Sequence, residues 1–94
     1  MTNLIKTVVK KPIEVQALQW DDELPGMWAL MCTHTNNLVR TDPGMGDLLV
    51  YDRLHDSWIK FSAGDWIVRG TKGECYPVEA EIFPTIYEVK PNDK

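Results

Sequence analysis

The stretch Arg69-Gly70-Thr71-Lys72-Gly73-Glu74-Cys75-Tyr76 holds two cations, two glycines, a carboxylate, a thiol and a phenol within eight residues. Three chemistries are conceivable for it. Glycine amides beside Arg69 and Lys72 could cradle an anion. Cys75 could act as a nucleophile if the fold brought His55 to it. Cys32, His34, His55 and Cys75 could ligate zinc. Each meets an objection. A phosphate loop of the Walker type needs Gly-Lys-Ser/Thr running into a helix, and here the order differs and a strand pattern follows. Cys-X-His is not a usual structural zinc spacing, and the chain has no Cys-X-X-Cys. A free cysteine most often serves as a small hydrophobe. The plainest reading of the stretch is a strand, a glycine turn and a second strand, with glycine supplying positive φ.

The acids follow the same logic. Asp21 with Asp22, Glu79 with Glu81, and Asp52 with Asp56 are paired carboxylates, but such acids usually sit in solvent or in turns. Asp21 and Asp22 suit a helix start. Asp65 follows Gly64, where a side-chain bond to nearby backbone is the default. No nucleophile-elbow pattern occurs. The sequence therefore predicts no catalytic set, no metal and no cofactor. The contact candidates are Arg69, Lys72, Glu74 and Tyr76 around the glycine turn, with the His55 loop second. Tyr76, Tyr87 and Phe83 would add a recognition surface if exposed, although core packing is the plainer role in so short a chain.

The elements that must position these residues are short. Ninety-four residues make one domain, and a chain of this size buries only about two thirds of its unfolded surface. With 44% hydrophobic residues it is too apolar for disorder. Four tryptophans, Trp20, Trp28, Trp58 and Trp66, are expected to carry much of the core. Residues 13–20 alternate as a half-buried strand whose pattern slips at Leu18 and Trp20, where a bulge or a strand end is expected. Met27, Leu30, Met31 and His34 share one helical face, which predicts a helix over residues 24–32, weakened by Gly26. Strands are expected at 38–41, 48–52, 57–61, 66–69 and 74–78. Residues 53–56 join two of them as a hairpin. Residues 79–83 suit one helical turn, and residues 85–89 a last strand. The fold class is α+β: a small antiparallel sheet of five to six strands with one short helix packed on it. Residues 1–11 read as a flexible N-terminal arm, 12–90 as the domain and 91–94 as a polar tail.

Charge and composition narrow the partners. The net charge is −4, and the basic cluster is confined to Lys6, Lys10 and Lys11, so nucleic acid is not an expected partner. Acids alternate with bases, which argues against mimicry of DNA. No run approaches the roughly 20 apolar residues of a membrane helix. The first residues carry no apolar signal core. Two cysteines are too few for a disulfide scaffold, so a cytosolic protein with reduced thiols is expected.

Two segments carry a resemblance. Residues 11–20, KPIEVQALQW, are similar to the opening K-P-V-x-x-E-A-x-Q-W of a family of small bacteriophage and prophage proteins. Residues 62–88 resemble that family's ending, V-G-D-W-I-I-K-G-V-K-G-E-x-Y-P-x-K-P-D-I-F-x-x-T-Y-E. The likeness covers about half the chain. In the middle, relatives carry a longer helix where this chain has Pro25 and Gly26. Glu79-Ala80-Glu81 stands where they have Lys-Pro-Asp, which removes a proline and a positive charge. The resemblance implies a phage-encoded accessory protein in the cytoplasm of a bacterial host. It implies no catalytic residues, because the shared positions are mostly Gly, Pro and aromatics. A non-enzymatic module that binds a host or phage protein is the leading expectation. A binder of a nucleotide or other small anion is the alternative, and a cysteine- or histidine-dependent enzyme the third. A small sheet with an exposed edge could also pair as a homodimer.

Overall fold

The computed structural model describes residues 4–9 and 12–90. The tail at 91–94, the first three residues and the Lys10-Lys11 pair lie outside them. The fold is α+β, as expected, with six strands and two short helices: β1 Gln16–Gln19, α1 Met27–Thr35, β2 Val39–Thr41, β3 Leu48–Asp52, β4 Ser57–Phe61, β5 Trp66–Arg69, β6 Cys75–Val78 and α2 Phe83–Ile86. The strands form two antiparallel sheets of three, ordered β1-β5-β6 and β2-β3-β4. No helix among the described residues is long and apolar enough to cross a membrane.

The β1-β5-β6 sheet is the middle layer, because both of its faces bury apolar side chains. Ile67 and Cys75 point into the main core with Trp20, Met27, Met31, Val39, Val50 and Phe61. Their strand neighbours Val68 and Val78 point the other way, onto Phe83 of α2. Strand side chains alternate between faces, so a strand with a core on both sides needs apolar residues in succession. The same cause explains the slip in β1. Val15 and Ala17 pack on the second cluster, and Leu18 on the main core. Of the two expected outcomes there, a bulge or a strand end, the strand end is found: Gln16 to Gln19 pair with Arg69 to Trp66 in unbroken register and β1 stops before Trp20.

Several boundaries differ from expectation. Helix α1 starts at Met27 because Gly26 takes φ +80, a left-handed geometry that cannot continue into a helix. Asp21 instead closes a tight turn by accepting from the Glu23 amide (2.9 Å). The buried helix face is Met27, Met31 and Thr35, with Leu30 exposed. The expected last strand at 85–89 does not form. Pro84 sits in the first turn of α2, where a missing N–H costs nothing, and the chain becomes extended only at Tyr87. The tryptophans also divide. Trp20 is buried, and Trp66 is half-buried and stacks on Phe83 (4.1 Å, 7°). Trp28 and Trp58 are 39% and 37% exposed, so only half of the set serves the core. Residues 4–9 are exposed and form no strand.

Candidate functional site

Asp52 ends β3 and is only 3% exposed. Its Oδ1 accepts from the amides of Leu54 (2.9 Å) and His55 (3.3 Å), and its Oδ2 takes the Nδ1–H of His55 (2.8 Å). These bonds shape the four-residue connection of the β3–β4 hairpin. Burial pushes the Asp52 carboxyl up, but the bonds from the His55 ring and the two amides outweigh it and hold the group below its ordinary value. The Nδ1 contact fixes the imidazole, leaving Nε2 as the ring's other polar atom.

The β5–β6 turn is built from two glycines with different tasks. Gly73 has φ +83, which a side chain rarely adopts. Gly70 lacks such a φ; its want of a Cβ makes room for the Glu74 carboxylate, which folds back over the turn. Glu74 Oε1 accepts the Lys72 amide (3.0 Å), and the Gly70 and Gly73 amides bond to the Glu74 and Gly70 carbonyls. A protein carboxylate thus already stands on this turn's backbone.

Between these two hairpins and α2 lies an open groove of about 900 Å³. Its apolar walls include Ile13, Val15, Ile59 and Ile86, and its polar groups include Asp52, His55, Glu74, Tyr76 and Tyr87. Tyr76 and Tyr87 meet hydroxyl to hydroxyl at 2.6 Å while their rings pack on the second cluster. Burial, aided by this bond, raises the Tyr76 phenol well above its ordinary value, so it stays protonated. Among the described residues its lining has two carboxylates, Asp52 and Glu74, and no lysine or arginine.

Of the sequence candidates, His55, Glu74 and Tyr76 come together here. Arg69 and Lys72 do not line the groove. Arg69 is half-buried and donates to the His34 carbonyl at the end of α1 (3.5 Å), a favourable place for a cation. Lys72 is exposed at the turn. Cys75 is fully buried in the main core, its Sγ 3.7 Å from the Gly73 carbonyl, and burial pushes its thiol up, away from the thiolate. Among the described residues no group of three or more His, Cys, Asp or Glu is placed to hold a metal ion. Sequence reasoning missed the Asp52–His55 pair. Its signal was an Asp three residues before a His across a hairpin turn, a spacing that favours side-chain-to-backbone bonds.

In comparisons with known proteins, no family model, no curated protein and no solved structure matches the chain.

Proposed function

We propose that this protein is a non-enzymatic binding module whose groove receives an apolar, extended protein segment bearing a basic residue. The observation that carries the reading is the lining itself: among the described residues, apolar walls and two carboxylates, with no lysine or arginine. Aliphatic side chains of the partner would fill the walls, and its cation would meet Glu74 at the rim. The polar groups of the groove are tied to one another or to backbone, which preorganises the surface and lowers the cost of docking. The resemblance to phage proteins supports a phage-encoded accessory role in the bacterial cytoplasm, with a host or phage protein as the partner. The anion-binding alternative draws less support, since an anion on the turn would have to displace Glu74 from the Lys72 amide.

The test is affinity capture from bacterial lysate followed by titration of the purified captured protein. Ile86→Asp alters an exposed side chain of the groove wall and should abolish binding with the fold intact by circular dichroism. Arg69→Ala/Lys72→Ala should leave affinity within about twofold, since neither residue lines the groove. Unchanged affinity in Ile86→Asp would overturn the reading. Loss confined to the Arg69/Lys72 variant would move the contact to the turn.

A further inference from the structure

The β2-β3-β4 sheet has an inner face in the main core and an outer face that no helix or strand among the described residues covers. The register puts Arg40, Leu49 and Lys60 in one cross-strand row, with Tyr51 and Trp58 paired in the next. Alternation places all five on the face opposite Val39, Val50 and Phe61. Arg40 is exposed, and its guanidinium carbon lies 4.2 Å from the Trp58 ring centroid. Tyr51 packs on the same indole, with ring centroids 5.4 Å apart, and its hydroxyl donates a hydrogen bond to Asp56. Lys60 reaches Asp47 at 3.5 Å. Arg40 makes no ion pair among the described residues. Its contact with the indole is electrostatic and uses no N–H group. The result is a guanidinium steadied by an aromatic ring with its donors unspent.

We propose that this face is a second docking surface, separate from the groove, and that it takes an acidic segment of a partner protein. A carboxylate of the segment pairs with the Arg40 fork, the geometry for which guanidinium is suited and an ammonium is not. Trp58 and Tyr51 form the apolar shelf beside it. Arg, Trp and Tyr are the residue types that dominate binding energy at protein interfaces. Charge complementarity at Arg40 selects the occupant: the two carboxylates of this face, Asp47 and Asp56, are already taken by Lys60 and by the Tyr51 hydroxyl, and Arg40 is the cation left without an acidic partner among the described residues. A nucleic-acid strand fits less well. A stacking platform needs open ring faces, and Arg40 and Tyr51 already lie against the Trp58 ring.

The experiment is an NMR titration of the labelled protein with three probes. These are a ten-residue peptide alternating Glu and Phe, the same peptide with Lys for Glu, and a ten-nucleotide oligouridylate. The expected result is that the Glu peptide shifts the Trp58 indole N–H and the amides of Arg40 and Tyr51. Arg40→Ala should weaken this at least tenfold, Arg40→Lys should recover it only in part, and Ile86→Asp in the groove should not change it. Both Arg40 variants alter an exposed side chain, and an unchanged amide spectrum elsewhere checks their fold. No shift at these residues with the Glu peptide would overturn the proposal. Equal binding of the Lys peptide, or tighter binding of the oligouridylate on the same residues, would overturn it as well.

Discussion

The groove and the outer face of the β2-β3-β4 sheet share a hairpin but are built in opposite ways. In the groove, the polar groups are already engaged: Asp52 with two amides and an imidazole, Glu74 with a turn amide, Tyr76 with Tyr87. On the outer face, Arg40 rests on Trp58 and makes no ion pair among the described residues. The groove is therefore a rigid mould, whose shape is paid for by folding. The face is a free cation on an aromatic support. Changes to the tied polar groups of the groove should register chiefly as stability, and changes at its exposed apolar wall or at the face chiefly as binding.

The sharpest way to break this contrast is Phe83→Ala. Phe83 pins α2 to the middle sheet and stacks with both Trp66 and Tyr87, so its loss should cost about 3–5 kcal/mol in urea denaturation. A loss under about 1 kcal/mol would show that the groove wall stands without the second cluster. Next is Asp52→Ala, which leaves the Leu54 and His55 amides without their partner and should cost about 1–3 kcal/mol. Arg40→Ala on the outer face should cost only about 0.5–1 kcal/mol. If the two rank the other way by thermal melting, the contrast fails.

Acid provides a test of a different kind. Burial lowers the His34 imidazole below 6.5, reinforced by the Arg69 charge, although its Nε2–H donates to the Ile67 carbonyl at 2.7 Å. The unfolded chain then takes up this proton first as pH falls. The stability that neutral His34 provides is present in full above about 6.5 and is lost as pH drops through the folded-state value. The melting temperature should decline between pH 7 and 5, and His34→Gln should flatten that decline. Asp52 acts lower. Its depressed carboxyl contributes stability above the ordinary carboxylate range and loses it as pH falls through the folded value.

A similarly small effect is expected from Gly70→Ala. The new methyl overlaps the end of the Glu74 side chain, which can swing away, so the cost should be about the one hydrogen bond to Lys72, roughly 0.5–1.5 kcal/mol. This variant also frees a turn amide. If a nucleotide raises its melting temperature but not that of the wild type, Glu74 is a built-in occupant of the anion position.

Strands β3, β4 and β5 lie at the residues expected, because alternation and turn residues act within a few positions and need no knowledge of the rest. Residues 85–89 failed for a reason that is not local: a proline can end an extended run or open a helix, and the packing of Phe83 against Val68 and Val78 decides which. The candidate site was half legible. His55, Glu74 and Tyr76 were found through their loops, but Arg69 was read as a surface cation when it closes the end of α1.

Composition and local pattern, by themselves, determined a small α+β chain of five to six antiparallel strands joined by glycine turns. Those properties depend on residue type and short spacing. Tertiary structure alone decided which faces are covered. Sequence could not say that both sides of β1 and β5 are buried, or that Trp58 faces solvent while Trp20 is buried. Nor could it say that Asp52 would lie beneath His55 at the edge of a groove. Each of these turns on how two sheets and two helices meet, and contacts between residues far apart in the chain are set by the sum of the packing rather than by any local signal.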